Sequence, residues 1–235
     1  MNIARGGNKQ KVFKRKASAL PLANSQALKK SGGLSWENDM AWGEGFASRG
    51  VVKLRDAARA FGYDFCGKVV LDIGSSTGGF TAVALEMGAN KVMAVEKGSR
   101  QMREPLRSDS RVVLYEKMDI FDVSIRGNAR VLIEAPDVIV ADVSFLSLTK
   151  ILKYAKMELS RRDTDFLVML KPQFEALPNQ LNKGVVKNER VRRDIIKDFE
   201  QWLKNNGFLI VKKRDNDLSG KHGNRERFYY LKIAG

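Results

Sequence analysis

The stretch Lys68-Val-Val-Leu-Asp72-Ile-Gly74-Ser-Ser-Thr-Gly78-Gly79-Phe80 decides the fold. Its first half is an unbroken apolar run of the kind buried in a parallel sheet, where a strand covered on both faces shows no alternation. Its second half is a glycine-rich turn that leads into a helical segment over residues 80–87. Glycines at the mouth of a sheet, beside a helix N-terminus, let backbone pass close to a ligand.

Outward from this stretch the pattern repeats. Apolar strands are expected at 91–96, 112–115, 137–141 and 166–170, with helices near 101–107 and over 148–159. Upstream, residues 51–61 place Leu54, Ala57, Ala58 and Phe61 at helical spacing, with Lys53 and Arg55 flanking the stripe. Residues 188–205 form a long amphipathic helix with Val191, Ile195, Phe199, Trp202 and Leu203 on one face, ended by Gly207. Two last strands, 208–211 and 227–233, can pair antiparallel. Alternation of strand and helix gives an α/β fold with a mostly parallel, doubly wound sheet and a C-terminal antiparallel strand pair.

Composition narrows the function. Forty-two Lys and Arg against 27 Asp and Glu leave a net charge of +15 on 235 residues. A strongly basic chain points to a polyanion, nucleic acid first. The excess is concentrated: residues 1–33 carry eight cations and no acid. We read residues 1–40 as a flexible basic arm able to track phosphates, and residues 41–235 as the folded domain. A single cysteine, Cys66, excludes a disulfide framework or a multi-cysteine metal site and reads as a small packed residue. A single histidine, His222, argues against a Ser-His-Asp or histidine–metal centre, and no metal is expected. No run approaches the roughly 18 apolar residues of a membrane span, and the first residues lack the core of a secretory signal, so the expected location is cytoplasmic.

The loop after the first strand lacks the G-x-G-x-x-G spacing of a dinucleotide site. Its Asp72, Gly74, Gly78 and Gly79 follow Asp-x-Gly-x-x-x-Gly, which suits S-adenosylmethionine, a cofactor with no diphosphate to cradle. We expect that molecule to lie across Gly74, Ser76, Gly78, Gly79 and Phe80. Glu96, closing the second strand, is positioned to accept its ribose hydroxyls, and Asp119, just after the third, to reach the adenine amino group. A glycine turn needed only for tight packing is the plainer reading, and three acids at successive strand ends weigh against it.

Two further strand ends carry charge. Asp142 follows 137–141 and Lys171 follows 166–170, with Pro172 stopping the strand. A simple ion pair is one reading. The other is methyl transfer from a sulfonium to a ribose hydroxyl, where a lysine acts as base or stabilises the developing alkoxide. Amino-group methylases commonly carry Asn/Asp-Pro-Pro-Tyr/Phe where this chain has Asp142-Val-Ser-Phe145. Cytosine C5 methylation needs a cysteine at the crevice, and Cys66 lies at the sheet's other end. His222 is read as exposed and without a catalytic role.

These segments together resemble the hemolysin-A-like (TlyA) methyltransferases within the FtsJ/RrmJ ribose 2′-O-methyltransferase class. The resemblance rests on Ser48-Arg-Gly-Val-Val-Lys-Leu54, Val70-Leu-Asp-Ile-Gly-Ser-Ser-Thr-Gly-Gly-Phe-Thr81, Asp142-Val-Ser-Phe-Leu-Ser-Leu148, Leu170-Lys-Pro-Gln-Phe-Glu175, Lys183-Gly-Val-Val186 and Gly223-Asn-Arg-Glu226. It implies a Rossmann-like methyltransferase dependent on S-adenosylmethionine, acting on ribosomal RNA through a tetrad of Lys53, Asp142, Lys171 and Glu226. By the same resemblance Lys171 deprotonates or stabilises the 2′-hydroxyl, Asp142 orients it, and Lys53 and Glu226 complete the frame. From the residues alone, Lys53 and Glu226 read as a solvated helix charge and a strand-edge charge. Family members usually begin with an S4-like RNA-binding domain, and residues 1–40 are too short and unpatterned for one. The basic arm and the sheet's carboxyl edge are therefore the expected RNA contacts. The alternatives are a non-catalytic protein that binds RNA and S-adenosylmethionine, a pore-former, for which no membrane-length segment exists, and a small-molecule methylase, which leaves the arm unexplained.

Overall fold

The computed structural model describes residues 49–127, 131–218, 220 and 223–235. The arm at 1–40 and His222 lie outside them. Seven strands form one sheet: β1 (Val69–Ile73), β2 (Lys91–Glu96), β3 (Val112–Glu116), β4 (Val138–Ala141), β5 (Asp165–Leu170), β6 (Phe208–Asp215) and β7 (Arg227–Ile233). Their order is β3-β2-β1-β4-β5-β7-β6. The first five are parallel, and β7 inserts antiparallel to both β5 and β6.

Helices cover both faces because the parallel strands are apolar on both. Along β1 and β2, Val70, Val92 and Ala94 face one way, packing with Leu54 and Phe61 of α1 (Arg49–Phe61) and Val83 and Leu85 of α2 (Gly79–Glu86). Leu71, Ile73, Met93 and Val95 face the other way. They meet Ile151 and Leu152 of α3 (Leu148–Tyr154) and Phe199 and Leu203 of α5 (Glu189–Asn205). A short α4 (Pro172–Glu175) follows β5. Among the described residues no helix is long and apolar enough to cross a membrane.

Three expectations need correction. No helix forms near 101–107; the segment holds only a 3₁₀ turn at Leu106–Ser108. Pro105 has no N–H to give and disfavours α geometry at Glu104, and Arg100 sits at φ 54°. Strand β6 runs on to Asp215, four residues beyond its apolar start. Lys212, Lys213 and Arg214 extend it along the sheet's edge, where charge is tolerated and hinders further pairing. Cys66 is exposed instead of packed; it sits in the turn before β1, opposite the carboxyl edge.

Candidate active site

The chain runs β1, β2, β3 to one side and then returns to place β4 and β5 on the other. The switch point therefore falls between β1 and β4, where a crevice opens at the strands' carboxyl ends. Gly74 and Asp142 are the residues that leave those two strands. Gly74 has φ +79°, and a Cβ there would lie 3.4 Å from the Asp142 carbonyl oxygen. A side chain there would be strained by its backbone conformation, so glycine is the residue that passes the switch point most easily.

Two cavities meet at this place. The first, about 360 Å³, is lined by Ile73, Val95, Met118, Ile120 and Val143, with the carboxylates of Glu96 and Asp119 at its rim. The second, about 690 Å³, holds Lys53, Asp142, Lys171 and Glu226 on its walls. Gly74, Ser76, Asp142, Ser144 and Phe145 line both.

In the smaller cavity Glu96 organises the loop. Its carboxylate accepts from Ser76 N at 2.9 Å and from Gly98 N at 2.7 Å, which holds Ser76 at φ 48°. Asp119 accepts from the exposed Lys97 at 2.9 Å and from Phe121 N at 3.2 Å. Its hydrogen bond with Lys97 keeps the carboxyl below the ordinary aspartate range. The apolar walls and acidic rim fit an adenosine: a flat base between aliphatic side chains, and carboxylates for the ribose hydroxyls and amino group.

The other cofactor candidates are placed differently. Gly79 and Phe80 line the larger cavity, and Phe80 packs on Phe228 at 5.8 Å. Gly78 lines neither; it caps α2 at φ 94°, where a Cβ would sit 2.6 Å from Leu106. Asp72 also lines neither. It is fully buried beneath the loop, accepting from Thr81 Oγ1 at 2.7 Å through one oxygen, while Oδ1 has no partner among the described residues.

Burial, helped by the charges of Asp142 and Glu96, pushes the Asp72 carboxyl up to about 7 from its ordinary 3.8. The folded state then binds more protons than the unfolded state between these values, so this group's contribution to stability falls as pH rises from about 4 to 7. Asp72→Asn should raise stability above pH 7 by up to about 4 kcal/mol and make no difference below pH 4. Urea titrations of both proteins at pH 4 and pH 8 check this; equal gains at both would refute it.

In the larger cavity the four predicted tetrad residues stand as two ion pairs. Lys171 leaves β5 beside Asp142, with 2.5 Å between Nζ and Oδ1. That contact lacks hydrogen-bond alignment, and the ammonium donates instead to Ser144 Oγ at 2.9 Å. Lys53, on α1, pairs with Glu226, which precedes β7. Both are buried, at 7% and 3% exposure, against the solvated charges that the residues alone suggested. Glu175 fixes the Asp142 loop to α4 by accepting from Ser147 Oγ and Leu148 N at 2.7 and 2.6 Å.

Sequence reasoning missed several lining residues. Phe145 is 87% exposed at φ 65°, its ring 5.2 Å from Phe174. Ser75 Oγ and Gln173 Oε1 are buried on the cavity wall with no partner among the described residues. Such atoms fit a polar ligand placed against them. All four lie in the segments that carry the family resemblance, yet nothing in their spacing marks their orientation.

Two adjoining cavities at a switch point, one with apolar walls and an acidic rim and one holding an ammonium beside the junction, fit a methyltransferase that uses S-adenosylmethionine. The chain belongs to the FtsJ-like methyltransferase family, whose model matches residues 46–233. It is 36% identical to Hemolysin A of Brachyspira hyodysenteriae, over 77% of this chain and 74% of that one. It is 36% identical to the 16S/23S rRNA (cytidine-2′-O)-methyltransferase TlyA of Mycobacterium tuberculosis, over 83% and 70%. Against a solved candidate hemolysin from Lactococcus lactis the TM-score is 0.74 at 34% identity, covering 79% of this chain and 88% of that one. The expected class and fold are thus borne out.

Proposed function

We propose that this protein methylates a ribose 2′-hydroxyl of ribosomal RNA in the cytoplasm. The observation that carries the proposal is the junction of the cavities at Asp142, Ser144 and Phe145, with Lys171 beside it. When bound in the smaller cavity, S-adenosylmethionine supplies an electrophilic methyl group. Glu96 and Asp119 hold the adenosine, and the Gly74 turn leaves room for the donor at the crossing point. Asp142 and Ser144 hold the Lys171 ammonium against the position an acceptor hydroxyl takes. There its charge stabilises the oxygen as it loses its proton to solvent and attacks the methyl group, while the methyl–sulfur bond breaks and a neutral thioether leaves. Lys53 and Glu226 brace the far wall. Phe145, with its ring exposed, offers the acceptor's base a stacking surface. The relatives named as rRNA cytidine-2′-O-methyltransferases and the +15 charge support RNA as substrate.

The basic stretch at 1–33 adds phosphate contacts in this reading. With labelled S-adenosylmethionine and ribosomal subunits or free rRNA, we expect a 2′-O-methylated nucleoside in the product. The chain lacking residues 1–33 should bind RNA more weakly, with a flatter salt dependence and unchanged donor affinity. A methylated base would mean a different acceptor. No label on any RNA, with donor binding intact, would favour the non-catalytic reading. Equal salt slopes would remove the role given to the arm.

A further inference from the structure

The larger cavity carries more positive charge than its ion pairs use. Its lining holds four cations, Arg49, Lys53, Lys171 and Lys183, against two carboxylates, Asp142 and Glu226. Each carboxylate is matched by one lysine. Lys183 makes no hydrogen bond or ion pair among the described residues and is exposed at the mouth.

The backbone under Lys183 is unusual. Asn182 and Val185 face each other across a two-residue turn, closed by Asn182 N to Val185 O at 2.9 Å and Val185 N to Asn182 O at 3.0 Å. Both central residues have positive φ, 48° at Lys183 and 79° at Gly184. Glycine or asparagine suits the first of these positions better than lysine does. A lysine there is held against its own backbone preference, as is common where a side chain serves a ligand.

The turn is also clamped. Asn224, 4% exposed, donates through Nδ2 to Gly184 O at 3.1 Å and accepts at Oδ1 from Val186 N at 3.1 Å. It stands two residues before Glu226, so one short segment fixes both the ion pair with Lys53 and the turn that carries Lys183. The backbone that carries the cation is therefore held in place, and each of the cavity's two carboxylates is paired with another lysine.

We infer that the Asn182–Val185 turn is a phosphate clamp in which the Lys183 ammonium grips a backbone phosphate next to the acceptor ribose. This rests on the RNA reading above and deepens it. Every internal nucleotide of an RNA chain brings a phosphate on each side of its ribose, and a small neutral acceptor brings none. A lysine at the mouth, as a point charge on a flexible stem, suits a phosphate whose orientation is set by other contacts.

The test compares Lys183→Gly and Lys183→Arg with the wild type. Glycine relieves the positive φ, so Lys183→Gly should melt no lower than wild type, which separates the clamp from a folding role. Its KM for ribosomal RNA should rise about tenfold, and the slope of log Kd against log salt should shrink by roughly one contact. Affinity for S-adenosylmethionine should not change, and Lys183→Arg should keep most of the RNA affinity. An unchanged RNA affinity and salt slope in Lys183→Gly would overturn the clamp. If the wild type methylates no RNA but binds it with a Lys183-dependent slope, the clamp stands and the reaction reading fails. If it methylates RNA with no dependence on Lys183, the reading stands and the clamp fails.

Discussion

Lys171→Ala should lower methyl transfer to RNA by about 10²- to 10³-fold, the range seen when one preorganised donor to a developing oxyanion is removed. Lys171 is an ammonium fixed beside the cavity junction by two neighbours, Asp142 at 2.5 Å and Ser144 Oγ at 2.9 Å. Its loss removes no residue from the lining of the smaller cavity, to which β5 and everything beyond it contribute nothing. Donor affinity, measured by calorimetry, should therefore stay within about twofold while single-turnover transfer collapses. Lys171→Arg should recover little, since a planar guanidinium cannot take the place of a compact ammonium between Asp142 and Ser144. Near-normal transfer by Lys171→Ala would mean that another group stabilises the developing oxyanion and that the Lys171–Asp142 pair is structural.

The second large effect concerns stability. Glu226→Ala leaves the Lys53 ammonium buried without its partner, and such changes destabilise by about 3–5 kcal/mol. Replacing both together, Lys53→Met with Glu226→Leu, removes the stranded charge, and urea unfolding should then return to within about 1 kcal/mol of wild type. The double variant separates two roles. If the pair only holds α1 against β7, the restored fold should transfer methyl groups normally. If it frames the acceptor, as proposed, transfer should remain low in a stable protein. A Glu226→Ala protein as stable as wild type would show that water reaches the pair, against its 7% and 3% exposures.

Much of the architecture is legible in the chain because parallel strands buried on both faces are contiguous apolar runs. Val138–Ala141 and Asp165–Leu170 are buried along their whole length, and a run such as Phe166-Leu-Val-Met-Leu170 has few other uses. The Asp72–Phe80 loop is legible for a related reason, since only a ligand or a tight turn calls for that many glycines. Where charge replaces apolar content, reading fails. The last residues of β6 are cationic because they lie at an edge, and no local signal separates them from a loop. Lys53 and Glu226 lie 173 residues apart, and they come together only where the segment before β7 meets α1 across the fold. Nothing in either neighbourhood reveals that; only the family resemblance raised them. Phe145 and Lys183 owe their roles in this reading to positive φ values, a backbone property that residue identity does not announce.

The antiparallel insertion of β7 divides the two pockets between different parts of the chain. Residues lining the smaller cavity all fall between Ile73 and Leu146, whereas the larger cavity draws on residues from Arg49 to Glu226. The donor side is thus local in the chain, and the acceptor side is closed only where the segment before β7 returns to α1. Substitutions at Asn224 or Glu226 therefore touch the acceptor side alone.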